Sequence, residues 1–198
     1  MKFALILVGA LCSSVALADS MQVIGGNSYA TECFASSNAA SLTGSASARD
    51  IQSCDRAISH GGLRKRDLMA TYVNRGIIFA ALNNYDKAQA DYERAMKMSR
   101  NVAEAYINRG NLWFMRKDFK QAIKDYDKSL KLKVKKPYVA LLNKGMANET
   151  LGNLHAARRN YKEAMKYVKE WPLAQAKLDR VNRKIKYRKS RNENKGDS

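Results

Sequence analysis

Asparagine recurs at positions 74, 108 and 143, each time inside Asn-Arg-Gly or Asn-Lys-Gly. A carboxamide carries both a donor and an acceptor, so it can pair with a peptide main chain whatever side chain that peptide bears. Three such groups, spaced 34 and 35 residues apart, would form a ladder along an extended segment. The basic members Arg75 and Arg109 could form ion pairs with Asp91 and Asp125, which stand at matching places downstream. At the third such place Lys144 is matched by Asn160. Ion pairing within a hairpin is the expected role of these residues, and partner contact is the other reading. The two histidines, His60 and His155, fall in no triad or metal-ligand spacing, and no glycine-rich phosphate loop is present. The chemistry available is that of binding. No enzyme activity, catalytic residue, metal or cofactor is expected.

The elements that would position these groups repeat with them. Aligned on Gly76, Gly110 and Gly145, the chain shows Ala88, Ala122 and Ala157 twelve residues on, then Tyr92, Tyr126 and Tyr161 four further. Tyr72, Gly76 and Phe79 share one helical face, as do Tyr106, Gly110 and Trp113. Glycine facing alanine would let two helices approach closely, with the aromatics filling the space beside them. LNNYD, RKDFK and LGNLH mark the turns between helices. Each hairpin leaves an apolar side that only the next hairpin covers, so the units stack.

This pattern resembles the tetratricopeptide repeat (TPR), written W-x2-L-G-x2-Y, then A-x3-F, then P. The resemblance covers residues 69 to 171, as copies at about 69–102, 103–136 and 138–171. The copies depart from it in the basic residue before each glycine and in the loss of most closing prolines. The third also has Leu141 and Asn148 where aromatics stand elsewhere. The resemblance implies an all-α fold, a right-handed α-solenoid of antiparallel helix hairpins. It also implies a concave groove lined by helices 69–82, 103–116 and 138–151. On that face lie Val73, Asn74 and Ile77, then Ile107, Asn108, Asn111 and Met115, then Leu142, Asn143 and Met146. The asparagines would bond a partner's backbone and have no duty in their own hairpins. The face carries no Lys or Arg, so a clamp for terminal carboxylates is not expected.

Residues outside the repeats close the stack. Pro137 and Pro172 each stand just inside an expected helix start. The helix 172–188 would present Ala174, Leu178, Val181 and Ile185 to the last repeat, with Lys177, Arg180, Arg183 and Lys184 on a solvated outer side. Residues 189–198 read as a disordered basic tail. Within the amino-terminal segment, 19–66, YATECFASSNAA and ASARDIQSCDRAISHGG would form a degenerate hairpin. No structure signal marks residues 19–28.

Residues 1–18, MKFALILVGALCSSVALA, have the order of a secretory leader: one lysine, an apolar run and a closing Ala-x-Ala. Cleavage after Ala18 and residence in a periplasm or outside a bacterial cell are expected. Leu11 before Cys12 argues against a lipid anchor. Loss of Cys12 with the leader leaves Cys33 and Cys54, which an oxidising compartment would pair across the degenerate hairpin. No other stretch approaches membrane-spanning length.

The formal net charge of +18 attracts anionic partners. Export turns that expectation away from nucleic acid and toward anionic envelope surfaces. Two functions therefore stand open. One is a scaffold or adaptor that binds a protein or peptide in the groove, within an envelope complex. The other is a spacer anchored to an anionic surface by its basic carboxyl-terminal region.

Overall fold

Each repeat glycine lies directly under a tyrosine ring. A methyl built on Gly76, Gly110 or Gly145 would come within 3.0 Å of ring atoms of Tyr92, Tyr126 or Tyr161, closer than side chains tolerate. The glycine thus makes room for the tyrosine, rather than for the alanine expected opposite it. Ala88, Ala122 and Ala157, one helical turn before each tyrosine, are fully buried beside this seam. Tyr92, Tyr126 and Tyr161 are among the largest fully buried side chains of the molecule. Burial pushes all three phenol pKa values up. Phe79 is buried, while Tyr72, Tyr106 and Trp113 are partly buried at the edges of the core.

The computed structural model describes residues 20–23, 27–60 and 62–196. The expected leader and its cleavage site lie outside them. Among the described residues there are nine helices and no strands: α1 Ser28–Thr43, α2 Ala48–Ser59, α3 Lys65–Ala81, α4 Tyr85–Met98, α5 Ala103–Met115, α6 Phe119–Lys131, α7 Pro137–Thr150, α8 Leu154–Met165 and α9 Pro172–Gly196. They pack as consecutive hairpins α1–α2, α3–α4, α5–α6 and α7–α8, with α9 against α8. None is long and apolar enough to cross a membrane.

The turns inside the three repeats share one geometry. Asn83, Lys117 and Gly152 take left-handed φ values of 59°, 63° and 78°. The amide after each one bonds back to the carbonyl five residues earlier: Asn84 to Phe79, Asp118 to Trp113, and Asn153 to Asn148. This closure satisfies helix-end carbonyls and reverses the chain in the three residues between the paired helices. Asp118 also caps α6 by accepting from the Gln121 amide at 3.1 Å.

The first hairpin is stapled. Cys33 of α1 and Cys54 of α2 form a disulfide with a Cα–Cα distance of 4.7 Å. Asn27 caps α1 and accepts from the Ala30 amide, while Ser47 and Asp50 form a capping box at the start of α2. Ala57 is buried as expected.

At the far end Ala174, Leu178 and Val181 of α9 are buried, and Ile185 is partly so. Two expectations are corrected here. The helix does not stop near Arg188 but runs to Gly196, through the stretch read as disordered. Lys, Arg, Asn and Glu tolerate a helix without packing, and Lys189 approaches Glu193 one turn on at 3.7 Å. Arg180 and Lys184 do not simply face solvent either. Both reach Glu149 at the end of α7.

Candidate functional site

Helix α1 lies along α3, and its carboxyl end reaches a cavity shared with α3, α4 and α5. Ala40, Ser41 and Gly44 of this end form one wall of a cavity of about 250 Å³. Ile77, Ala80 and Ala81 of α3 form its floor. Asn108, Asn111, Leu112 and Met115 of α5 close the opposite side, and Tyr85 and Tyr92 contribute from α4. The lining is mostly apolar and holds no charged side chain. Met115 is 45% exposed at the rim, an unusual position for a large apolar residue.

The ten expected groove residues divide into three sets. Ile77, Asn108, Asn111 and Met115 line the cavity. Val73, Ile107, Leu142 and Met146 are buried in seams between helices. Val73 packs with Cys33, Cys54 and Ile77 under the first hairpin. Ile107 packs with Val134, Val139 and Ala140 between the second and third repeats. Leu142 and Met146 pack with Phe114, Tyr126 and Leu154. The physical reason is stacking: part of this helical face is covered by the neighbouring helix, which a single-helix wheel does not contain.

Asn74 and Asn143 make up the third set with internal duties. Asn74 is fully buried and bonded to the main chain of Met21. Asn143 donates to Oδ1 of Asn111 at 3.0 Å, and the Tyr126 hydroxyl donates to the same oxygen at 2.9 Å. Asn108 is 1% exposed despite lining the cavity. These asparagines are therefore built into the structure, which corrects the expectation that they have no role within it.

The flanking ion pairs form in the first two repeats. Nε and Nη2 of Arg75 donate to both oxygens of Asp91, at 2.7 and 2.8 Å, and Nη1 donates to Asp55 of α2 at 2.6 Å. Arg109 grips both oxygens of Asp125 at 2.8 Å, and Trp113 Nε1 donates to that carboxylate at 3.1 Å. Asp91 is buried and also accepts from Nη1 of Arg94 at 2.8 Å, so two arginines compensate its charge. In the third repeat Lys144 turns to Asp127 of the preceding repeat, at 2.5 Å. The buried amide nitrogen of Asn160 has no hydrogen-bond partner among the described residues.

Sequence reasoning missed Glu149. Its carboxylate accepts from the Tyr161 hydroxyl at 2.9 Å, from Arg180 at 2.8 Å and from Lys184 at 2.8 Å. Burial opposes its ionisation, but the bonds from Arg180, Lys184 and Tyr161 outweigh burial and hold its pKa below the usual glutamate value. One signal was present. Ala80 and Phe114 occupy the equivalent place four residues after the repeat glycine, so a lone acid there stands out. The walls supplied by α1 had no such signal, because they depend on how α1 docks. Among the described residues no group of His, Cys, Asp and Glu could hold a metal ion.

A family model described as Tetratricopeptide repeat matches residues 103–134, and a second model of the same description matches 70–102 and 138–167. The chain carries tetratricopeptide repeats. A solved structure of the first TPR of Spaghetti (RPAP3) bound to the HSP90 peptide SRMEEVD is similar in fold, with a TM-score of 0.56 and 20% identity. The match covers 59% of this chain and 92% of that one. No curated protein matches. The TPR hairpins are thus α3–α4, α5–α6 and α7–α8, and α1–α2 extends the TPR stack by one stapled unit.

Proposed function

We propose that the chain is a non-enzymatic interaction module that holds an extended, uncharged protein segment on the concave face of its TPR stack. The observation that carries this reading is the α1–α3–α5 cavity. It pairs a mostly apolar lining with the carboxamides of Asn108 and Asn111 and a half-exposed Met115 at its mouth. Small apolar pockets with a few placed polar groups are the usual form of a side-chain anchor site. The similar RPAP3 structure holds a peptide, which supports a peptide as the class of partner. That peptide is rich in acidic residues, whereas the cavity here has no basic side chain, so a neutral segment with one apolar anchor fits better. The leader-like residues 1–18 and the Cys33–Cys54 pair support a working place in a bacterial envelope after export, as a scaffold or adaptor in an envelope complex.

A photo-crosslinking side chain at Met115, compared with one at exposed Lys124 on α6, tests this reading in intact cells. A partner segment should be captured at 115 and not at 124. Capture should persist as salt rises from about 0.15 M to about 1 M, which shortens the Debye length from ~8 to ~3 Å. Equal capture at both positions would overturn it.

The second reading, attachment to an anionic surface, is favoured by α9. Beyond Ile185 its Lys186, Arg188, Lys189 and Arg191 are exposed on a continuous helix. Binding to phosphatidylglycerol vesicles that vanishes at high salt, without capture at Met115, would select this reading instead.

A further inference from the structure

The amide of Asn74 already holds a peptide main chain, and that chain is its own. Oδ1 accepts from the Met21 amide nitrogen at 2.9 Å, and Nδ2 donates to the Met21 carbonyl oxygen at 2.8 Å. Both bonds fall on one residue, 53 positions upstream in sequence. Neither involves the methionine side chain, so the carboxamide takes the place that a neighbouring strand would take beside an extended residue. The Met21 side chain packs against the cluster that holds Val73 and Ile77, and Gln22 is exposed. The segment thus shows the two contacts expected of a bound peptide: amide readout of its backbone and one apolar anchor.

We propose that residues 20–23 are a built-in occupant of the concave face, which an incoming segment must displace before it can use Asn74. The inference rests on the peptide-binding reading above for its functional meaning, but the docked segment itself does not. A tether of a few residues joins Met21 to α1, which starts at Ser28. Tethers this short hold effective concentrations in the millimolar range. A competitor must therefore bind well below millimolar to win, and weak or non-specific segments are turned away. The same geometry sets a rule for the competitor. It must offer both an N–H and a C=O at one residue, so proline is rejected at that position.

The test uses the full chain and a probe copied from it, the acetylated peptide DSMQVIGGNS. In the wild-type chain the Met21 amide should be protected from hydrogen exchange at least about tenfold over an unstructured peptide. Met21→Pro removes the amide that donates to Asn74 and should free the site. The probe should then bind the Met21→Pro chain about tenfold or more tightly than the wild type, and adding Asn74→Ala should abolish the gain. Exchange of the Met21 amide at the unstructured rate would overturn the proposal, as would equal probe affinity for the wild-type and Met21→Pro chains. Should Asn74→Ala fail to fold, the exchange measurement still decides. These outcomes are independent of crosslinking at Met115: the segment can dock without any partner, and a partner can fill the α5 cavity while Met21 stays free.

Discussion

At the amino-terminal end of the stack a covalent bond joins α1 to α2, whereas at the carboxyl-terminal end α9 is tied down by charge. The Cys33–Cys54 bridge is indifferent to salt and is broken by reductant only when the hairpin opens, since both cysteines are fully buried. Glu149 behaves in the opposite way: a buried carboxylate held by Tyr161, Arg180 and Lys184 responds to protons and, through its half-exposed basic partners, to ionic strength. End units of a repeat array have a neighbour on one side only, so each needs a supplementary hold. The difference teaches that the two ends can be loosened separately, by different chemical conditions.

The largest effect is expected from the covalent end. Cys33→Ala with Cys54→Ala should cost roughly 3 kcal/mol of unfolding free energy, from the entropy that a loop of this length regains. Denaturant titration checks this. Reductant should reproduce the loss in the wild type and do nothing to the variant.

Glu149→Gln should cost about 1–3 kcal/mol, because Arg180 and Lys184 lose a charged acceptor while Tyr161 keeps a neutral one. Its mark is pH. The folded carboxyl titrates below its usual value, so its contribution is complete above the ordinary glutamate pKa of about 4.3 and is lost as pH falls through the lower folded value. Thermal unfolding followed down through that window should show the loss in the wild type and in the cysteine variant. Glu149→Gln should lack that part of the slope.

The smallest effects belong to the basic partners taken singly. Arg180→Ala or Lys184→Ala should each cost about 0.5 kcal/mol, since both side chains are half exposed and the other remains. High salt should erase most of that difference. A salt-independent loss would mean that α9 is held by Ala174, Leu178 and Val181 alone.

Much of this architecture was readable because the repeats carry it in period. Gly76, Gly110 and Gly145 with their tyrosines announced the hairpins, and the matched Arg75–Asp91 and Arg109–Asp125 spacings announced the ion pairs. What escaped reading lies wherever one element covers another. Val73 and Ile107 look like groove residues on a wheel of one helix, yet adjacent units bury them. Lys144 chose Asp127 of the previous repeat, a contact invisible to any argument confined to one hairpin. The docking of Met21 on Asn74 spans 53 residues from a stretch with no periodic signal. The candidate site was therefore only partly legible: Ile77, Asn108, Asn111 and Met115, expected on a groove face, line the cavity, while the wall from Ala40 to Gly44 depends on tertiary placement.

The glycine–tyrosine seam has a consequence for curvature. Because the ring rests on bare backbone in each of the three units, the approach of the paired helices is limited by an aromatic ring. An array of stacked wedges multiplies any change in one wedge along its length. A single methyl at Gly110 would splay the central wedge and swing the outer units as rigid arms, widening or narrowing the concave mouth far from the altered residue. The shape of this surface is thus written at positions that no partner would ever touch.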